Sequence, residues 1–152
     1  MSNLERFINR FTGYDGAYGR YMLPPSTQDI EDGEKHEGRG ITKQDPLTEL
    51  EYSDHLDGEF SLGVVPIQAD NFCLFGAIDI DVYSGLDLEA LARRLAKFPV
   101  IVCRTKSGGA HVYLFTSEKV NATLMVRKLR ELAQWLGYGK AEVFPKAAGA
   151  NG

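Results

Sequence analysis

The sequence predicts an α+β domain whose C-terminal half runs β-α-β-β-α-β. Three features carry that prediction. A nearly continuous apolar run from Phe72 to Val82 reads as a buried strand. Two stripes of helical period, around Leu88 to Leu95 and Met125 to Leu136, read as amphipathic helices. Between two β-rich runs, Lys106-Ser107-Gly108-Gly109 makes a tight glycine turn. The length of 152 residues suits one domain, and 43% hydrophobic with 25% charged residues excludes a wholly disordered chain.

Near the N-terminus, Leu4, Phe7, Ile8 and Phe11 fall at i, i+3, i+4 and i+7, the stripe of a short helix. Residues 24–58 carry Pro24-Pro25, Gly33, Gly38 and many charges with no apolar period, so loops with short strands are expected there. After the strand from Phe72 to Val82, Asp87 caps a helix in which Leu88, Leu91, Ala92 and Leu95 share a face. Pro99 ends that helix, and Val100 to Arg104 is a second strand. The glycine turn joins it to a third strand, Ala110 to Phe115, as a hairpin. A longer helix is expected from about Ser117 to Leu136, with Met125, Leu129, Leu132 and Leu136 as its inner stripe. Gly137 and Gly139 close it, and Ala141 to Phe144 is a fourth strand. This is the split βαβ order of RRM-like and ferredoxin-like domains, with two helices on one face of an antiparallel sheet and the other face left free.

With 17 Lys+Arg against 21 Asp+Glu the net charge is −4, which argues against a generic DNA-coating protein. It leaves room for a nucleic-acid enzyme whose positive charge is gathered at one site. No run approaches the ~18 apolar residues of a membrane span. The start, Met1-Ser2-Asn3-Leu4-Glu5-Arg6, lacks a basic region followed by an apolar one. A cytoplasmic protein without a membrane partner is therefore expected. Cys73 and Cys103 stand alone in apolar runs and read as core thiols of a reducing compartment.

Side chains alternate along a strand, so Ile78 and Ile80 are expected to face the helices and Asp79 and Asp81 the free side. Two like charges about 6–7 Å apart at Cα in a buried strand are costly unless a cation lies between them. Either a hard divalent ion such as Mg²⁺ or Mn²⁺ answers that cost, or the strand ends there and both carboxylates reach water. In the third strand, His111 shares a face with Tyr113 while Val112 and Leu114 go to the core. His111 is thus either a functional group or a structural histidine. It follows a turn in which Gly108 and Gly109 allow close backbone approach to a phosphate, and Arg104, Lys106 and Ser107 offer donors to its oxygens. In the fourth strand, Glu142 shares a face with Phe144 and becomes a third carboxylate beside Asp79 and Asp81; Lys146 adds a cation at the rim or simply lies at the surface. Three carboxylates, a histidine and several cations describe a metal-triphosphate site, in which two metals held by the carboxylates activate a 3′-hydroxyl and neutralise the phosphate it attacks. Tyr14, Tyr18, Tyr21 and Arg20 either stack on template bases or pack as an ordinary loop.

Three segments carry a resemblance. Ala77-Ile78-Asp79-Ile80-Asp81, then Arg104 to Phe115, then Glu142-Val143-Phe144-Pro145-Lys146 resemble the three motifs of the archaeo-eukaryotic primase superfamily. The likeness is to the primase-polymerase domains of phages, mobile elements and conflict systems. Phe11 to Gly19 and His55 to Pro66 also look like the N-terminal part of that group. The resemblance implies that Asp79, Asp81 and Glu142 are the metal-binding catalytic carboxylates. It implies that His111 and Ser107 contact the incoming triphosphate, with Lys106, Arg104, Gly108 and Gly109 around it. The implied fold is an RRM-like palm, residues 59–152, carrying an irregular N-terminal unit, residues 1–58. Family domains usually continue past the third motif, whereas this chain ends six residues after Lys146. A fragment or truncated product relying on a partner is the expectation that follows.

The function expected is a primase- or polymerase-type nucleotidyltransferase acting in DNA replication or primer synthesis. It would transfer (d)NTPs to a 3′-hydroxyl, with Mg²⁺ or Mn²⁺ as cofactor. Its expected partners are nucleoside triphosphates, a single-stranded DNA template or primer, and a helicase or other replication protein in a prokaryotic host. A metal-dependent phosphodiesterase or nuclease using the same carboxylates, and an inactive RRM-like nucleic-acid-binding module, remain as alternatives.

Overall fold

The structure, a computed structural model, describes residues 1–22 and 39–146. Eleven elements follow one another among those residues: α1 (Asn3–Arg10), β1 (Tyr18–Met22), β2 (Arg39–Lys43), α2 (Glu49–Leu56), β3 (Ser61–Val64), β4 (Phe72–Ile80), α3 (Leu88–Leu95), β5 (Val100–Arg104), β6 (Ala110–Asn121), α4 (Ala122–Leu136) and β7 (Glu142–Phe144). They form two antiparallel sheets, one ordered β2-β1-β3 and one ordered β5-β6-β4-β7, so the fold is α+β.

The larger sheet buries its core on one side. Ile78, Ile80, Val112 and Val143 point there, with Leu91 and Leu95 of α3 and Met125, Leu129, Leu132 and Leu136 of α4. The spacing of those helix positions at three and four residues is what puts them on one face. Asp87 caps α3 by accepting a hydrogen bond from the Ala90 amide, as its position before the apolar stripe predicts. Gly137 ends α4 in the left-handed region, where a side chain would be strained. Gly76 lets α4 press on β4. A Cβ there would lie 2.7 Å from Leu129 Cδ1 and 2.9 Å from the Met125 side chain.

Four expectations are corrected. Residues 117–121 are strand and not helix: β6 runs on past a register irregularity to pair Val120 with Cys73 and Asn121 with Phe72, and Asn121 then caps α4. Within the stretch expected to hold loops and short strands, Glu49–Leu56 is a helix, and residues 24–38 lie outside the described residues. The helix is held by a capping box, with Thr48 accepting from the Leu50 amide and Glu51 accepting from the Thr48 amide. Cys103 is exposed, while Cys73 is buried; β5 is an edge strand and Cys103 points away from the helices. Finally, the far side of the larger sheet is not wholly free. The Phe11 ring meets Phe75, Tyr113 and Phe115 edge-on, at centroid distances of 5.3, 5.2 and 5.4 Å. Tyr52 anchors that segment by donating its hydroxyl to the Phe11 carbonyl at 2.9 Å.

No helix among the described residues is long and apolar enough to cross a membrane.

Candidate functional site: a row of polar residues across the larger sheet

Strand register builds the site. Opposite residues in an antiparallel pair project from the same face. On the side away from α3 and α4, Asp79 of β4 lies opposite His111 of β6 on one flank and Glu142 of β7 on the other. His111 in turn lies opposite Cys103 of β5. The row therefore reads Cys103, His111, Asp79, Glu142 across all four strands. The next row on that face is apolar to aromatic, with Tyr113 opposite Ala77 and Ala77 opposite Phe144.

Contacts tie the row together. His111 Nε2 lies 3.3 Å from Asp79 Oδ1, and His111 Nδ1 lies 3.0 Å from the Tyr113 hydroxyl. Glu142 accepts from Lys146 Nζ at 3.2 Å, which places a cation at the rim of the carboxylates. Asp81 follows directly on the last residue of β4 and is exposed, accepting from the Tyr83 hydroxyl at 2.8 Å. That bond, burial and the charges of Asp81 and Asp79 together raise the Tyr83 phenol above its ordinary range. Burial pushes Tyr113 up to about 12, with Cys103 and Asp79 adding to it.

The glycine turn closes against the end of β4. The Thr105 amide donates to the Gly109 carbonyl and the Gly108 amide donates to the Thr105 carbonyl, both near 3 Å. A Cβ on Gly109 would lie 2.4 Å from the Ile80 carbonyl oxygen. Gly108 has φ of +90°, and its Cβ would meet the Tyr83 carbonyl oxygen at 3.0 Å. Both glycines therefore let the backbone of the turn reach the residues around Asp81. Lys106 points to the smaller sheet, its Nζ 3.1 Å from the centre of the Tyr21 ring. Tyr21 lines a groove on the smaller sheet together with Gly19, Gly40, Thr42, Ser61 and Gly63.

The register thus brings Asp79, His111 and Glu142 together, with Asp81 and the glycine turn at the same end of the sheet. Arg104 is not brought in. It lies opposite Ala110, on the helix-covered side, because it is one residue out of step with Cys103. Of the four residues considered for base stacking, Tyr18 is buried, and the Arg20 guanidinium lies 4.3 Å over the Phe60 ring. Tyr14 is exposed and Tyr21 faces Lys106. Tyr113 is expected on the face of His111, two residues away on one strand, whereas Tyr83, beyond the end of β4, carries no sequence signal that marks it as the partner of Asp81.

The donor chemistry of Asp79, Asp81 and Glu142 is that of a hard divalent cation: oxygen ligands, all anionic, at one end of one sheet. Their side chains are turned to His111, Tyr83 and Lys146, and among the described residues no group of three or more His, Cys, Asp or Glu is gathered closely enough to hold a metal ion.

The larger sheet thus belongs to an α+β domain with a carboxylate–histidine row on the face opposite its helices. The chain belongs to the family of archaeo-eukaryotic primase domains of TOTE conflict systems, whose model matches residues 4–137. That match spans Asp79, Asp81, Ser107 and His111, while Glu142 and Lys146 lie beyond it. The family gives the chain a primase- or nucleotidyltransferase-type assignment. No curated protein is similar to it in sequence.

Proposed function

We propose that the chain is the nucleotidyltransferase domain of a primase-polymerase, joining (d)NTPs to the 3′-hydroxyl of a strand paired with a single-stranded DNA template. The observation that carries the reading is the register row in which Asp79 lies between His111 and Glu142, within a chain of primase family membership. The larger sheet and its two helices are then an RRM-like palm.

Asp79, Asp81 and Glu142 would hold Mg²⁺ or Mn²⁺, which supplies charge neutralisation at the reacting phosphate and a more acidic 3′-hydroxyl. Tyr83 and Lys146 orient the carboxylates, Tyr83 by donating to Asp81 and Lys146 by balancing Glu142. His111 would donate from a ring nitrogen to a triphosphate oxygen. The Ser107 hydroxyl would offer a further donor to the same phosphates. Lys106 reaches them by leaving the Tyr21 ring, a contact worth about 0.5–1 kcal/mol at an exposed site. The domain's contribution is positioning and electrostatics, which dominate phosphoryl chemistry. A helicase or other replication protein would supply an opened template, and the reaction would serve DNA replication or primer synthesis in the host of a conflict system.

The experiment is incorporation of labelled nucleotides on single-stranded DNA, with and without primer, in Mg²⁺ or Mn²⁺. Longer products that vanish in Asp79→Asn and Asp81→Asn are expected. Shortened strands would mean a phosphodiesterase instead. Template binding without turnover would mean a non-catalytic module.

A further inference from the structure

The larger sheet has two edges, and they are built differently. β7 is three residues long and is followed by Pro145, which has no amide hydrogen to offer. β5 pairs with β6 in unbroken register from Val100 to Arg104 and forms the opposite edge. Edge strands are commonly blunted by proline, a bulge or a charge. β5 has only Arg104, at its last residue, and its Ile101 is 49% exposed.

The ladder shows which backbone groups are left over. The Phe115 amide donates to the Pro99 carbonyl at 3.2 Å, and the Thr105 amide to the Gly109 carbonyl at 2.9 Å. Bonded pairs alternate along an antiparallel ladder, so Ile101 and Cys103 turn their N–H and C=O groups to β6. Val100, Val102 and Arg104 turn theirs outward. The Val100 amide is used locally, donating to the Phe98 carbonyl at 2.8 Å. Val102 and Arg104 make no backbone hydrogen bond to another element on that side among the described residues. Such a row of alternating donors and acceptors fits a further strand.

Charge narrows the choice of strand. Residues 90–117 hold Arg93, Arg94, Lys97, Arg104 and Lys106 and no Asp or Glu. Taking those five from the chain's 17 Lys+Arg leaves 12 against 21 Asp+Glu, a net of −9 elsewhere. Three of the five are engaged: Arg93 pairs with Glu89, Arg94 caps α4 at the Trp135 and Leu136 carbonyls, and Lys106 lies on Tyr21. Lys97 lies beside the Phe98 and Trp135 rings, and Arg104 has no ion pair or hydrogen bond among the described residues. These two cations stand at the two ends of β5.

A second copy does not suit this edge. Antiparallel self-pairing about Val102 would set the Lys97 end of one strand against the Arg104 end of the other. A nucleic acid does not suit it either, because phosphate oxygens only accept and would meet the outward carbonyls. We propose that the β5 edge takes an extended protein segment as a fifth strand, apolar in its middle and acidic at both ends. The added strand continues the sheet beside Cys103, on the flank away from Glu142. The inference stands on β5 and is independent of the nucleotidyltransferase reading.

The probe is a fluorescent peptide with two glutamates at each end and valine alternating with threonine between them. Anisotropy with the full chain at low salt is expected to give a Kd below about 1 mM. Lysine in place of the glutamates, or Arg104→Glu in the chain, is expected to weaken binding at least about fivefold. Methylating alternate peptide nitrogens gives two further probes. Only one set of amides faces β5, so one probe is expected to lose binding and the other to keep it. Hydrogen exchange at the Val102 and Arg104 amides is expected to slow roughly tenfold or more with peptide bound.

No binding at about 1 mM peptide overturns the proposal, and that result needs no variant to fold. Equal behaviour of the two methylated probes overturns it too, as do slowed amides confined to other strands. A dimer in sedimentation that Val102→Pro abolishes overturns it by giving the edge to a second copy. Displacement of the peptide by single-stranded DNA overturns it by giving the cations to a nucleic acid. Nucleotide incorporation is read in a separate assay, so the failure of either reading leaves the other standing.

Discussion

Asp79 and His111 are register partners across the two central strands of the larger sheet, with Nε2 3.3 Å from Oδ1. On its other flank Asp79 faces Glu142, also in register. The sheet thus sets one carboxylate against another, an arrangement that stability alone disfavours, since like charges directly opposite each other repel. Lys146 on Glu142 and His111 on Asp79 offset part of that cost.

Asp79→Asn is expected to separate function from stability. Removing the charge relieves Glu142, so folding free energy should stay level or rise by up to about 1 kcal/mol. Nucleotide incorporation should fall by roughly a hundredfold or more. Urea unfolding beside the incorporation assay reads both. A stability loss above about 2 kcal/mol would make Asp79 a structural residue.

For His111→Ala the expected change is in nucleotide binding, a KM increase of roughly tenfold from one lost charge-assisted contact. Steady-state kinetics at several nucleotide concentrations would show it. Unchanged KM and kcat would return His111 to the role of a structural histidine.

The glycine turn offers a contrast between two substitutions. Gly109→Ala would drive a Cβ to 2.4 Å from the Ile80 carbonyl, backbone that cannot yield cheaply. It should destabilise the protein by about 2 kcal/mol or more. Gly85→Ala, at φ +75° with nothing within 4 Å of the added atom, should cost only about 1 kcal/mol. Equal midpoints for the two in urea would mean that the turn does not press on β4.

Alkaline pH should unfold the protein through its buried phenols. Burial raises Tyr52 and Tyr113 from an ordinary phenol's 10.0 to about 12 in the folded chain. A raised folded value means that the neutral phenol is favoured by folding. The resulting stability is complete below pH 10 and is lost as pH rises from about 10 toward 12. Absorbance at the tyrosinate band should show Tyr52 and Tyr113 ionising after most of the seven tyrosines, together with loss of structure. Early titration of Tyr113, identified by its absence in Tyr113→Phe, would contradict its burial.

Acid should loosen α2 by the opposite sign. The Thr48 hydrogen bonds hold the Glu51 carboxyl below its ordinary value, so its contribution is present above the unfolded value and lost as pH falls through the folded one. Thr48→Ala should cost about 1 kcal/mol near neutral pH and less in acid. A cost independent of pH would remove Glu51 from the cap.

Much of the molecule follows from local pattern. Leu91 and Leu95, or Met125, Leu129, Leu132 and Leu136, stand at helical spacing, and a helix with that spacing buries that face wherever it docks. Asp87 and Gly137 mark helix ends by backbone chemistry confined to a few neighbours. The alternation of Ile78, Asp79 and Ile80 assigns each to a face of a strand before any partner is known. Even α2 left a local mark, Thr48 and Glu51 at capping-box spacing, although with only Tyr52 buried it has no apolar stripe to announce it.

Local pattern thus accounts for most of the helices and strands and for which side chains share a face. Tertiary structure alone decided the rest. Residues 117–121 are strand because β4 is there to pair with Val120 and Asn121, and Phe11 covers the aromatic rows because Tyr52, 41 residues on, fixes its carbonyl. Arg104 lies off the site and Cys103 in it because the β5–β6 register fell as it did. Period is a property of neighbours in the chain, whereas register, rotamer and cover are settled by contacts between segments far apart in sequence. The bond from Tyr113 to His111 depends on both: the spacing of two puts them on one face, and the packing of Phe11 and Phe115 aims the hydroxyl.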